Sequence, residues 1–108
     1  MTFRLHFRDM PHSERVRRIC ASQAQSLEHE FPETSKIELT LTQDGEEHEA
    51  HVHVTGKNLD VAASATGRVQ RQTIDEALER ARKQIRKHHD KQIMCRRREG
   101  HRSAHSYN

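Results

Sequence analysis

At 108 residues, with 31% apolar and 4% aromatic side chains and no Trp, the chain has material for one small, mostly aliphatic core. The net charge of +3 hides a dipole: residues 1–79 hold 9 Lys and Arg against 14 Asp and Glu, and residues 80–108 hold 10 against 2, which is −5 beside +8. No apolar run reaches bilayer-spanning length and no hydrophobic leader opens the chain, which predicts a cytoplasmic protein with no membrane partner.

Phe3, Leu5 and Phe7 alternate with Arg4, His6 and Arg8, the period of a half-buried strand. Met10-Pro11-His12 breaks it. Ser13 then offers an N-cap and Glu14 a first-turn carboxylate, and Val16, Ile19, Cys20, Ala24, Leu27 and Phe31 recur at helical spacing over about residues 13–30. Pro32 ends that helix. Ile37, Leu39 and Leu41 alternate with polar residues as a second strand, and Asp44-Gly45 is a two-residue hairpin signal. Ala50, Val52 and Val54 form a third strand, Gly56-Lys57-Asn58 a turn, and Leu59, Val61, Ala63 and Ala65 a fourth strand. From about Arg68 to Lys91 a second helix carries the stripe Ile74, Ala77, Leu78, Ala81, Ile85 and His88. Residues 94–108 lack periodicity and read as a basic flexible tail behind a domain of residues 1–93.

Each strand has one apolar face and each helix one apolar stripe. The order β-α-β-β-β-α therefore predicts an α+β fold, a four-stranded mixed sheet with both helices packed on one face. A right-handed crossover makes the first two strands parallel and the rest antiparallel. The opposite face is left open to water, with Arg4, His6, Arg8, Glu38, Thr40, Glu49, His51, His53, Asp60 and Ser64 on it.

The basic end is the candidate binding surface. At about 100° per residue, Arg68, Arg71, Arg82 and Arg86 line one flank of the second helix, Arg80, Lys87 and Lys91 the other, and Lys83 lies opposite the core. Such side chains meet a sugar-phosphate backbone, and Arg binds phosphate bidentately. Basic residues late in a helix also suit its dipole and its solvated face, but that does not account for a run that continues through Arg96, Arg97, Arg98 and Arg102. Arg4 and Arg8 add charge on the first strand, and Arg15, Arg17 and Arg18 cluster where the first helix dipole disfavours them. Aromatic platforms for stacking bases are nearly missing, so the expected recognition is of shape and phosphate, without a base code.

Ten histidines invite a metal reading. His6, His51 and His53 share a face, but no metal-ligand spacing accompanies them, and no metal or cofactor is expected. Cys20 and Cys95 make neither a disulfide framework nor a CxxC pair. Cys20 falls on an apolar stripe as a small buried hydrophobe, and Cys95 lies in the basic stretch. There is no nucleophile motif and no phosphate-cradling glycine loop, so no catalytic residue and no small-molecule substrate are expected.

The element order, the hairpin sequence HVHVTGKNLDVAASA and the helix sequence TIDEALERARKQIRKHHDK together resemble the short ribosome hibernation factors, the ribosome-associated translation inhibitors also labelled sigma-54 modulation proteins. The resemblance covers about residues 3–92, and its weight lies in the ordered combination. In the link Thr66–Thr73 the chain is basic and polar where the family has acidic and aromatic residues. What the resemblance implies is a protein that binds the small ribosomal subunit and its rRNA near the decoding region. Such a protein occupies the space of messenger and transfer RNA, and holds ribosomes inactive in stress or slow growth. Two other functions fit the residues: a protein-interaction module using the open sheet face, and a double-stranded RNA binder away from the ribosome. The oligomeric state stays open.

Overall fold

The computed structural model describes the backbone of residues 2–101 and the side chains of residues 2–88. Its elements are β1 (Thr2–Arg8), α1 (Glu14–Glu30), β2 (Thr34–Asp44), β3 (Glu47–Gly56), β4 (Leu59–Gly67) and α2 (Gln70–His101). They form the expected α+β fold, a four-stranded sheet of order β1-β2-β3-β4. β1 runs parallel to β2, and the remaining neighbours are antiparallel.

The period-2 pattern decides the two faces. Leu5, Ile37, Leu39, Leu41, Ala50, Val52, Val54, Leu59, Val61, Ala63 and Ala65 turn inward and are buried. α1 adds Cys20, Ala24 and Leu27, and Phe31 follows at its end; α2 adds Ile74, Ala77, Leu78, Ala81 and Ile85, all in one apolar cluster. Burying a Leu or Ile side chain contributes about 1.5–3 kcal/mol, against ~0.2–1 for a surface ion pair, so Ile74, Leu78 and Ile85 dominate the seating of α2.

Local signals set the element ends. Val16 N–H donates to the Ser13 hydroxyl at 3.3 Å, the expected N-cap. Phe31 is the C-cap, its N–H donating to the Leu27 carbonyl at 2.9 Å. The first hairpin turn is Gly45-Glu46, one residue later than expected: Asp44 pairs with Glu47 in the ladder, and Gly45 takes φ +64° at the first central position. At the second hairpin Asn58 takes φ +55°. Gly56 is required for a different reason, because a Cβ there would lie 2.2 Å from the Glu33 carbonyl oxygen.

α2 differs from expectation at both ends. It starts at Gln70 rather than Arg68, after Thr73 has folded its N–H and hydroxyl back onto the Val69 carbonyl at 3.0 and 2.9 Å. Its backbone stays helical through His101, so residues 94–101 of the expected tail are helix. The physical reason is that no Pro or Gly interrupts the chain before Gly100, and Lys, Arg, Gln, Met and Glu are good helix formers. The expectations for residues 102–108, and for the side chains of Lys91, Cys95, Arg96, Arg97 and Arg98, lie outside the described residues.

Candidate nucleic-acid interface

The α2 stripe fixes how the basic residues are presented. With Ala77, Leu78, Ala81 and Ile85 inward, Lys83 and Lys87 point to solvent, and neither makes an ion pair among the described residues. The two flanks are engaged with the rest of the protein.

On the α1 side, Glu30 at the end of α1 takes two arginines of that flank. Arg86 donates to its carboxylate at 2.8 Å, and Arg82 approaches it at 3.2 Å. Arg82 is only 15% exposed. Arg86 also lies 3.7 Å from Glu79. The hydrogen bond from Arg86 is the largest cause holding the Glu30 carboxyl below its ordinary range; burial opposes it, and the charges of Arg86 and Arg82 add to it. Farther back, Arg71 faces Asp75 at 3.4 Å, and Gln23 of α1 donates to the same carboxylate at 3.2 Å.

On the β4 side, α2 closes the edge of the sheet. Arg80 donates to the Ser64 carbonyl at 2.6 Å and to Glu76 at 3.0 Å. Gln84 donates to the Ala62 carbonyl at 2.9 Å, and His88 to the Asn58 carbonyl. Residues 80, 84 and 88 are spaced by one helical turn; the first two meet carbonyls of the edge strand and His88 meets one in the turn before it. Gln84 and the outward turn of His88 were not among the expected contacts, although their spacing from Arg80 is visible in the sequence.

The expected binding residues therefore fall into three groups. Lys83, Lys87 and Arg68 are exposed and unpaired among the described residues. Arg71, Arg80, Arg82 and Arg86 have partners inside the protein. Arg4 and Arg8 project from the open sheet face, across the sheet from α2, so the structure does not bring them together with the helical set.

The open face carries the histidines where they were expected. His53 Nε2 donates to Asp60 at 2.6 Å, and its Nδ1 lies 3.9 Å from Glu38. His6 lies 3.9 Å from the same Glu38, and Lys36 lies 3.5 Å from it. Among the described residues no three His, Cys, Asp or Glu are placed to hold a metal ion. Burial, and then the charge of Asp75, pushes the Cys20 thiol up to about 11, so it stays protonated at neutral pH.

Residues 3–93 match the family described as sigma 54 modulation protein / S30EA ribosomal protein. Among solved structures, a ribosomal subunit interface protein from Coxiella burnetii is similar with a TM-score of 0.77 and 14% identity, over 83% of this chain and 99% of that one. The N-terminal domain of protein Y from Thermus thermophilus is similar with a TM-score of 0.72 and 17% identity, over 81% of this chain and 98% of that one. At these identities the likeness is one of fold. No curated protein sequence matches.

Proposed function

The chain belongs to the sigma 54 modulation protein / S30EA ribosomal protein family, and from that premise we propose that it binds the small ribosomal subunit near the decoding region. There it blocks translation, or stores inactive ribosomes, under stress or slow growth. The observation that carries the reading is the pair Lys83 and Lys87, one turn apart on the outward face of α2 with no carboxylate to neutralise them among the described residues. Arg68, which makes no ion pair among the described residues, lies two residues before the same helix, and the helical backbone continues through Lys91 and Arg96–Arg98.

The action is one of occupancy. Each phosphate neutralised by Lys or Arg releases counterions, so log affinity falls by roughly 0.7–0.9 per contact for each tenfold rise in salt. No bond is made or broken, and no cofactor is called for. Binding of this kind places the protein in the cytoplasm, and no helix among the described residues is long and apolar enough to cross a membrane.

Co-sedimentation with purified small subunits across a salt series tests this reading. Wild-type protein is expected to bind at low salt and to be released steeply as salt rises. Lys83→Glu/Lys87→Glu is expected to bind more weakly, with a shallower salt slope and unchanged circular dichroism. Binding that ignores salt, or that ignores this double substitution, sinks the proposal.

A further inference from the structure

The helical surface leaves one feature of the molecule unused. A groove of about 750 Å³ runs beside β1 on the open side of the sheet, within the ~300–1,000 Å³ typical of small-ligand sites. We propose that this groove binds an unpaired nucleotide of single-stranded RNA, an inference that rests on the RNA-binding reading above and adds a second, distinct contact to it.

Three independent observations shape the groove for that ligand. The first is its wall. Asp9 takes φ +58°, a costly conformation for a residue with a side chain, and turns the chain back at the end of β1. Met10 and His12 line the groove as a result. Phe7 backs the His12 ring at 4.9 Å between centroids, and Arg17 donates to His12 Nε2 at 3.5 Å, so the imidazole is held on two sides. A fixed aromatic ring beside a thioether is a surface on which a base can stack, and His serves this purpose as Phe and Tyr do. No such platform was visible in the sequence, because Phe7 and His12 belong to different local patterns.

The second observation is the floor. His51 and Thr40 present ring nitrogens and a hydroxyl from β3 and β2, groups able to meet the edge of a base, while His53 beside them is held by Asp60. Ladder pairing places Thr40 beside both His6 and His51, so these groups form one row across three strands.

The third is charge. Arg8 lines the groove, Arg4 lies on the same face of β1, and neither makes an ion pair among the described residues. Glu38 is the carboxylate among the lining residues, and Lys36, His6 and His53 surround it. Glu49 shares the face but is separated from Arg8 by Thr42 of the intervening strand. The unpaired positive charge therefore lies at the β1 edge, where a phosphate attached to the stacked nucleotide would be met. A duplex would not enter, because its bases are paired and stacked on each other.

The test is titration of the full chain with a single-stranded RNA pentamer and, separately, with a blunt RNA duplex, followed by amide chemical shifts. With the pentamer, saturable shifts are expected in β1, at Met10–His12 and around His51, and the duplex should leave these positions unmoved. Arg8→Gln/His51→Ala, both exposed positions, is expected to weaken pentamer binding about tenfold through loss of a charge-assisted phosphate contact and a base contact. Pentamer shifts confined to α2, no binding, or an unchanged affinity in the double variant would each overturn the groove. Co-sedimentation with small subunits is measured in parallel. If it persists while the groove fails, the helical reading stands alone; if it is lost in wild type, that reading has failed independently.

Discussion

Glu30 shows how a single residue can mislead a reading of charge. In the sequence it is an acidic residue near the end of a helix, where the dipole disfavours it. In the fold it takes Arg82 and Arg86 of α2 and ties the two helices together. Its carboxyl is held below the ordinary range, so the charged form is the one the folded state favours. The sign follows directly. The stabilisation is fully present above the unfolded carboxylate value, near ~4.3, and is lost as pH falls through the lower folded value. Glu30→Gln, which imitates the protonated side chain, is therefore expected to lower Tm by a few degrees at pH 7. Thermal melts in a pH series should show the gap between wild type and variant close at the acid end. Because the site is partly exposed, high salt should narrow the gap too. A gap independent of pH would mean that the ion pairs contribute nothing.

At the scale of elements, the most informative contact is the seal that α2 places on β4. An exposed edge strand is a template for unwanted pairing, and natural sheets cover or charge their edges. Here Arg80, Gln84 and His88 bind the outward carbonyls of Ser64, Ala62 and Asn58. Arg80→Ala/Gln84→Ala is expected to leave the apolar stripe seated, speed amide exchange along β4 and promote self-association on storage. Unchanged exchange in β4 would show that the seal is dispensable. This contact also marks how far the sequence can be read. Alternation located all four strands and both of their faces, since burying one face leaves little freedom in register. Ser13, Pro32 and the stripe from Ile74 to Ile85 located the helices. The helical spacing of residues 80, 84 and 88 was equally visible, but not that it faces an edge, because which strand lies beneath a helix is settled by tertiary packing. The Glu30 contacts escaped for the same reason, being made across 52 and 56 positions of chain. The first turn moved by one residue because the ladder extends through the Asp44–Glu47 pair.

For the molecule as a whole, the division between folding and the proposed binding runs along α2. Among the described residues, the last core residue of α2 is Ile85. Charge is distributed the other way, with Lys87, Lys91, Arg96, Arg97, Arg98 and Arg102 beyond that point. This separation makes residues 94–108 removable in principle. A chain ending at Ile93 is expected to melt close to the full protein, since the sequence of residues 94–108 has no apolar periodicity. Its affinity for small subunits should fall at low salt, because the removed segment holds four arginines against Glu99, and each phosphate contact adds to the counterion term. The difference should shrink as salt rises, since it is this term that salt suppresses, while docking through Lys83 and Lys87 remains. Sedimentation of both chains across the same salt series decides the matter. Equal binding at low salt would place the terminal arginines away from RNA, whereas a large drop in Tm would mean that the last turns of α2 brace the domain after all.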